Sequence, residues 1–109
     1  MGALLAGRRR LIARFGRPVT IRRGNLDGSV TSADFVGALT RFSAAQLVGA
    51  LSQDDARLEM MADVLGDFPV PPRAIDEVLS DGLSFNVQFV ASVHEGPLLI
   101  GWSLTLRGS

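Results

Sequence analysis

Two kinds of hydrophobic spacing divide the chain into a short helix followed by strands. Apolar residues recur at helical spacing over residues 3–15, and Gly16 and Pro18 end that pattern. Downstream, apolar and polar residues alternate with a period of two, which is typical of half-buried strands. The alternation predicts strands at residues 18–23 and 35–42, joined by an extended polar loop at 24–33 that contains glycine, asparagine and aspartate.

The C-terminal third carries the clearest strand pattern. Asp81-Gly82 separates two alternating segments, and this dipeptide is a strong hairpin signal because both residues accept a positive φ. A second turn is predicted at residues 94–97. The side chains expected to face the interior here are Phe85, Val87, Phe89, Leu98, Ile100, Trp102, Leu104 and Leu106. Five to six antiparallel strands with regularly spaced turns predict a mainly β fold, a small β-barrel or sandwich with a short N-terminal helix.

Residues 44–65 fit two structures. Helix-forming residues and a capping Ser43 favour a short central helix. However, Leu58, Met60 and Ala62 also alternate like one face of a strand, and strands are predicted on both sides. Propensity alone favours the helix.

Length and hydrophobicity set the class of protein. A chain of 109 residues, 47% of them hydrophobic, is the size of one domain with a real core, so we treat residues 1–109 as a single domain. No apolar run approaches the roughly 20 residues that a membrane-spanning helix needs, and no membrane partner is predicted.

Charge is unevenly distributed although the formal net charge is zero. Residues 1–25 hold seven arginines and no acid, whereas residues 26–109 hold four arginines against all eleven acids. This uneven charge distribution indicates a basic arm, formed by residues 1–16 and the residues directly after them. The arm is expected to contact nucleic acid, an anionic surface or the acidic body of a neighbouring copy. The alternative is a solvated helix face.

No pattern of catalytic residues is visible. The chain has no cysteine, and its one histidine, His94, falls in a predicted turn, so neither thiolate chemistry nor a zinc site is expected. The adjacent acids Asp54-Asp55 and Asp76-Glu77 are poor acid–base couples because neighbouring strand residues point to opposite faces, and we interpret them as solvated turn acids. We predict no enzyme activity, cofactor or metal.

The order of these segments resembles a known family. "FGRPVTIRR" is followed by a glycine-containing loop, "ALTRFSAAQLVGALSQDDARLEM", "PVPPRAIDEVLSDGLSFNVQFV" and a closing "GWSLTLRG". This series is similar to the small head–tail joining proteins of long-tailed bacteriophages and prophages, also called head-closure or neck proteins. The family pattern commonly has Gly-Asp where this chain has Ile75-Asp76, so the turn before that strand differs.

The resemblance implies a small β-barrel in which residues 57–61 form a strand. It also implies a non-catalytic virion protein, in the neck between head and tail and in the host cytoplasm during assembly. The implied partners are further copies in a ring, six- or twelve-fold, the portal or adaptor protein, a tail or tail-terminator protein, and DNA that passes through without sequence specificity. A tail-terminator ring or a small nucleic-acid-binding barrel with a basic arm is the alternative.

We predict that the basic segment and the polar loop contact a neighbouring subunit or the portal. Reversing the charge of the helix arginines is expected to abolish assembly and leave the isolated fold intact. The predicted interface residues are Arg8, Arg9, Arg10, Arg14, Arg17, Arg22, Arg23, Asn25 and Asp27.

Overall fold

The computed structural model describes residues 2–41, 55–66, 68–69 and 71–108. One helix precedes six strands: α1 (Ala3–Phe15), β1 (Arg17–Gly24), β2 (Val30–Arg41), β3 (Asp55–Met61), β4 (Glu77–Ser80), β5 (Leu83–Glu95) and β6 (Leu98–Gly108).

The six strands close into one antiparallel barrel in the order β1-β2-β3-β6-β5-β4, with β4 pairing back onto β1. Closure gives every strand a partner on both sides over part of its length, although β2 before Ala38 pairs only with β1. The prediction of a small antiparallel barrel with a short N-terminal helix is confirmed. The Asp81-Gly82 hairpin is confirmed as well, since both residues have a positive φ, of 54° and 79°.

Alternate residues of each strand fill the barrel, as the period-two pattern requires. Ile21, Leu58, Val78, Leu104 and Leu106 have no exposed surface at all. The barrel interior is therefore packed with side chains and forms the main core of the protein.

Phe89 departs from the predicted alternation. The pairing of β5 with β6 shifts by one residue between Val87 and Phe89, which is a β-bulge. The bulge places Phe89 opposite Thr105 on the outer surface and leaves 72% of it exposed. The prediction that Phe89 faces the interior is wrong for this reason. Leu98, also predicted to be interior, is 56% exposed at the first position of β6.

Helix α1 spans the predicted residues and packs on the outside of the barrel. Its side chains Leu5 and Ile12 are buried in a second, smaller cluster against Ala38, Met61 and Ile100. The remaining large apolar residues of the helix, Leu4, Leu11 and Phe15, are exposed.

Two segments differ from what propensity predicted. Residues 55–61 form strand β3, so the helix prediction is wrong there and the strand implied by the family resemblance is present. Residues 62–65 are also not helical, because they form a turn and a bend after β3, and residues 44–54 lie outside the described residues. The polar loop expected at 24–33 is shorter, because β1 continues to Gly24 and β2 already begins at Val30.

Candidate interaction site

The seven arginines of the N-terminal segment do not form one surface. Four of them make ion pairs with acids of the barrel within the same chain, and the other three make none with any described residue. The paired residues are Arg8 with Glu59, Arg17 with Asp81, Arg22 with Glu77 and Arg23 with Asp76. Much of the charge contrast seen in the sequence is therefore neutralised inside the fold.

Arg8 attaches the helix to the barrel. Its guanidinium donates to the backbone carbonyls of Met60 and Trp102 and pairs with Glu59 at 2.8 Å. The side chain is only 9% exposed. Gly101 makes room for this contact, since a Cβ atom there would lie 2.3 Å from both the Arg8 Nε and the Met60 carbonyl oxygen. Arg8 is thus a structural residue, and its side chain is not presented to a partner.

Arg23 is buried at the end of the barrel. Its Nε and a terminal nitrogen donate to the two carboxylate oxygens of Asp76 at 2.6 and 2.8 Å, and its guanidinium lies 5.0 Å from the centre of the Phe68 ring. The Asp76 carboxylate also accepts the backbone N–H of Arg73 at 2.7 Å. Hydrogen bonding to Asp76 raises the pKa of Arg23. Arg23 therefore holds the segment before β4 in place and is not a surface residue.

The prediction that the adjacent acids are solvated is wrong for Asp55 and Asp76, which are 2% and 1% exposed. Asp54 lies outside the described residues. Asp76 is buried because Arg23 neutralises it, and Asp55 lies 3.8 Å from the guanidinium of Arg107.

Arg17 and Arg22 point outward from β1 and pair with acids near β4. Arg17 reaches Asp81 at 2.8 Å in an exposed pair. Arg22 pairs with Glu77, whose carboxylate also accepts the Ser84 hydroxyl hydrogen at 2.7 Å. Hydrogen bonds from Ser84 and from Arg22 lower the pKa of Glu77.

Arg9, Arg10 and Arg14 remain as the exposed cations of α1. The Arg14 guanidinium lies 5.3 Å from the ring centre of Phe15, which is itself 57% exposed. Together with Leu4 and Leu11 on the neighbouring stripe, these side chains give α1 an apolar and basic surface that nothing in the described chain covers.

Asn25 and Asp27 lie in the β1–β2 connection, residues 25–29, which we call the hairpin tip. The Asn25 amide donates to the hydroxyls of Ser29 and Thr31, and the Asp27 carboxylate accepts hydrogen bonds from the backbone N–H and hydroxyl of Ser29. These bonds from Ser29 lower the pKa of Asp27. The two residues thus shape the tip, and they present Leu26 between them in a fully exposed position.

Sequence reasoning missed the exposed apolar residues. Period-two spacing predicts interior positions for Phe89 and Leu98, which are exposed, and Leu26 and Val30 fall in the predicted polar loop without being marked as an apolar surface. For Leu26 the available signal was its position between turn-forming residues.

A pocket of about 200 Å³ lies between α1, the end of β3 and the start of β6; we call it the α1–β6 pocket. Exposed Arg9 and Asp63 add one cation and one anion to its lining. Its apolar lining consists of Leu5, Met61, Ala62, Leu98, Leu99 and Ile100.

Within the described residues no group of three or more metal-binding side chains comes together. His94 is exposed on β5. No helix in the described part of the chain is long and apolar enough to cross a membrane.

Comparison of the chain with protein-family models, with curated proteins and with solved structures finds no match.

Proposed function

We propose that the protein is a non-catalytic structural protein that joins head and tail in a long-tailed phage particle by forming a ring between the portal and the tail. The proposal begins from the resemblance carried by the order of sequence segments. A small closed barrel with an N-terminal helix is the fold that this resemblance implied.

The observation that carries the proposal is a closed barrel with exposed apolar side chains on separate outer elements. Each strand has a partner on both sides over part of its length, so exposed side chains and the strand segments beyond those pairings are what remains for association. Exposed apolar residues occur on α1, at the hairpin tip and on β5, with Leu26 and Phe89 the most exposed. Contiguous exposed apolar surface marks partner sites, and Leu4, Leu11 and Phe15 recur at helical spacing along one side of α1.

A ring needs two different surfaces on each copy, one for each neighbour. The described chain offers such surfaces on different elements, since the hairpin tip and helix α1 are formed by separate segments. Apolar contact with support from the three exposed helix arginines replaces the purely ionic contact that the sequence suggested.

Electron microscopy tests the ring directly. We expect the purified chain to form closed rings, seen by negative staining and counted by native mass spectrometry over a concentration series up to the solubility limit. Antibodies raised against the protein should label the junction of head and tail in particles from cells that encode it. Label on the capsid, on the tail tip or on no particle would contradict the proposal.

A further inference from the structure

The β1–β2 hairpin extends beyond its neighbouring strands. The two strands pair along their whole length, from Arg17 with Gly37 to Gly24 with Val30. In contrast, β4 pairs with β1 only as far as Arg22, and β3 pairs with β2 only from Ala38 onward. The distal end of the hairpin is therefore a two-stranded arm that ends in the hairpin tip.

The hairpin tip is rigidly built although it contacts little else. The backbone N–H of Asn25 donates to the Ser29 carbonyl at 2.8 Å, and that of Gly28 donates to the Asn25 carbonyl at 3.1 Å. Gly28 has a φ of 88°, a conformation that other residues rarely adopt. Because this turn is already ordered, the backbone around the fully exposed Leu26 has little conformational entropy to lose when the leucine binds a partner.

The α1–β6 pocket has the size and polarity to receive that leucine. An apolar cavity of about 150 Å³ in another protein accepts benzene, so a pocket of about 200 Å³ accommodates a leucine side chain. Its walls include Leu5, Met61 and Ile100. Its charged lining consists of exposed Arg9, a partner for an acid entering beside the leucine, and exposed Asp63.

We propose that Leu26 of one copy inserts into the α1–β6 pocket of the next copy, with Asp27 placed against Arg9. The occupant is a second copy because the tip carries the matching pair, an exposed apolar side chain followed by a carboxylate. Tip and pocket belong to different parts of the chain, so the contact joins unlike surfaces and propagates around a ring. The inference rests on the proposed ring and names the contact that closes it.

The absence of cysteine makes a clean crosslinking test available. Two single-cysteine variants, Leu26→Cys and Leu98→Cys, are given tags of different mass, mixed and mildly oxidised. We expect the mixed disulfide between them to exceed both homodisulfides severalfold. Leu83→Cys is the matched control, because Leu83 is 44% exposed at the opposite end of β5 and does not line the pocket.

Two further variants separate side-chain insertion from mere proximity. Leu26→Ser is expected to weaken ring association by roughly 10- to 100-fold, the loss that follows when one leucine is no longer removed from water, whereas Leu26→Met retains it. Both variants should unfold like the parent protein, since Leu26 makes no packing contact in the isolated chain.

The outcomes distinguish this inference from the proposed function. Rings whose Leu26→Cys copies crosslink to Leu83→Cys as readily as to Leu98→Cys would overturn the inference and leave the ring intact. A chain that stays monomeric at every concentration and gives no crosslink would contradict both.

Discussion

At the scale of single residues, the buried pair of Arg23 and Asp76 has the largest predicted effect on stability. Their side chains are 8% and 0% exposed, and two direct hydrogen bonds join them. Burying a charge is costly unless it is paired and hydrogen-bonded, and each residue here satisfies the other. The pair joins β1 to the segment that precedes β4.

Removing one partner should therefore cost much more than removing an exposed ion pair. We expect Asp76→Asn to lower the free energy of unfolding by about 3–5 kcal/mol, because it leaves the Arg23 charge buried without a counter-charge. Urea unfolding followed by circular dichroism measures this. In the double variant with Arg23→Met, the loss should be smaller than the sum of the two single losses.

The exposed pair of Arg17 and Asp81 provides the control for this measurement. Asp81→Asn keeps a residue that tolerates positive φ and should cost no more than about 1 kcal/mol. Equal losses at Asp76 and Asp81 would show that the Arg23 pair is not buried in solution.

Gly101 is a residue whose small size is required by its neighbours. A Cβ atom at this position would lie 2.3 Å from the Met60 carbonyl oxygen and from the Arg8 Nε. We expect Gly101→Ala to lower the melting temperature and to cost about 1–3 kcal/mol through overpacking. Gly7→Ala, in helix α1 with open space around it, should have the opposite sign and stabilise by about 0.5–1 kcal/mol.

The sequence could not predict these residue-level features. Arg23 occupies an inward position of β1 by simple alternation, with Val19 and Ile21, but an arginine is far more often exposed than buried. Its partner Asp76 lies 53 residues away, so only the closure of the barrel brings the two together. Candidate site residues chosen by charge alone therefore mixed structural arginines with exposed ones.

At the scale of elements, helix α1 depends on Arg8 because its apolar face is short. Only Leu5 and Ile12 are buried, whereas Arg8 makes contact with the backbone of both β3 and β6. The N-terminal end of the helix is further held by the Glu95 carboxylate, which accepts the backbone N–H of Leu5 at 2.8 Å.

Replacing Arg8 should release the helix from the barrel without unfolding the strands. We expect Arg8→Gln to increase hydrogen exchange of the amides in residues 3–15 and to leave those of β5 and β6 protected. Arg10→Gln is the matched control, because Arg10 is exposed, makes no ion pair with a described residue and does not line the α1–β6 pocket. Equal exchange in the two variants would contradict the anchoring role. Charge-reversal variants that test assembly should therefore leave Arg8 unchanged.

Strand β4 has only four residues, and Glu77 connects it to both neighbours. Glu77 pairs with Arg22 of β1 and accepts a hydrogen bond from Ser84 of β5, and both interactions lower the pKa of Glu77. A carboxylate with a lowered pKa in the folded state contributes stability above its unfolded pKa, near 4.3, and that contribution is lost as the pH falls through its folded pKa.

The free energy of unfolding should therefore fall as the pH is lowered from 5 toward 3, and Glu77→Gln should reduce that fall. Urea titrations at several pH values in this range provide the measurement, with Asp63→Asn, an exposed acid, as the control. Parallel curves for the parent protein and Glu77→Gln would contradict the prediction.

Most elements could be predicted because local signals agree with the fold. The helix is bounded by Gly16 and Pro18, and the hairpin at Asp81-Gly82 is fixed by backbone conformation. In residues 55–61 helix propensity was outweighed by pairing of β3 with β2 and β6, which no local pattern contains. The bulge before Phe89 could not be predicted from the sequence either, because one unpaired residue moves the residues that follow it in the strand to the opposite face.

At the scale of the whole molecule, the pairing of charges changes what the basic N-terminal segment can do. Four of its seven arginines are neutralised by acids of the same chain, so the exposed excess is confined to α1. A ring that surrounds a DNA passage should not bind phosphates tightly, because the genome must move through the ring. A nucleic-acid-binding barrel would need the opposite, a broad unpaired basic surface.

Salt dependence of binding to generic duplex DNA discriminates between these two functions. Each neutralised phosphate contributes about −0.9 to the slope of log K against log salt, so exposed Arg9, Arg10 and Arg14 account for a slope of at most about −3. We expect weak binding in fluorescence anisotropy, with that part of the slope removed by the triple variant Arg9→Glu, Arg10→Glu, Arg14→Glu. Arg22→Glu, which alters a paired arginine, should leave the slope unchanged. Tight binding with a slope near −6 would require phosphate contacts beyond these three arginines, and would favour the nucleic-acid-binding barrel over the ring.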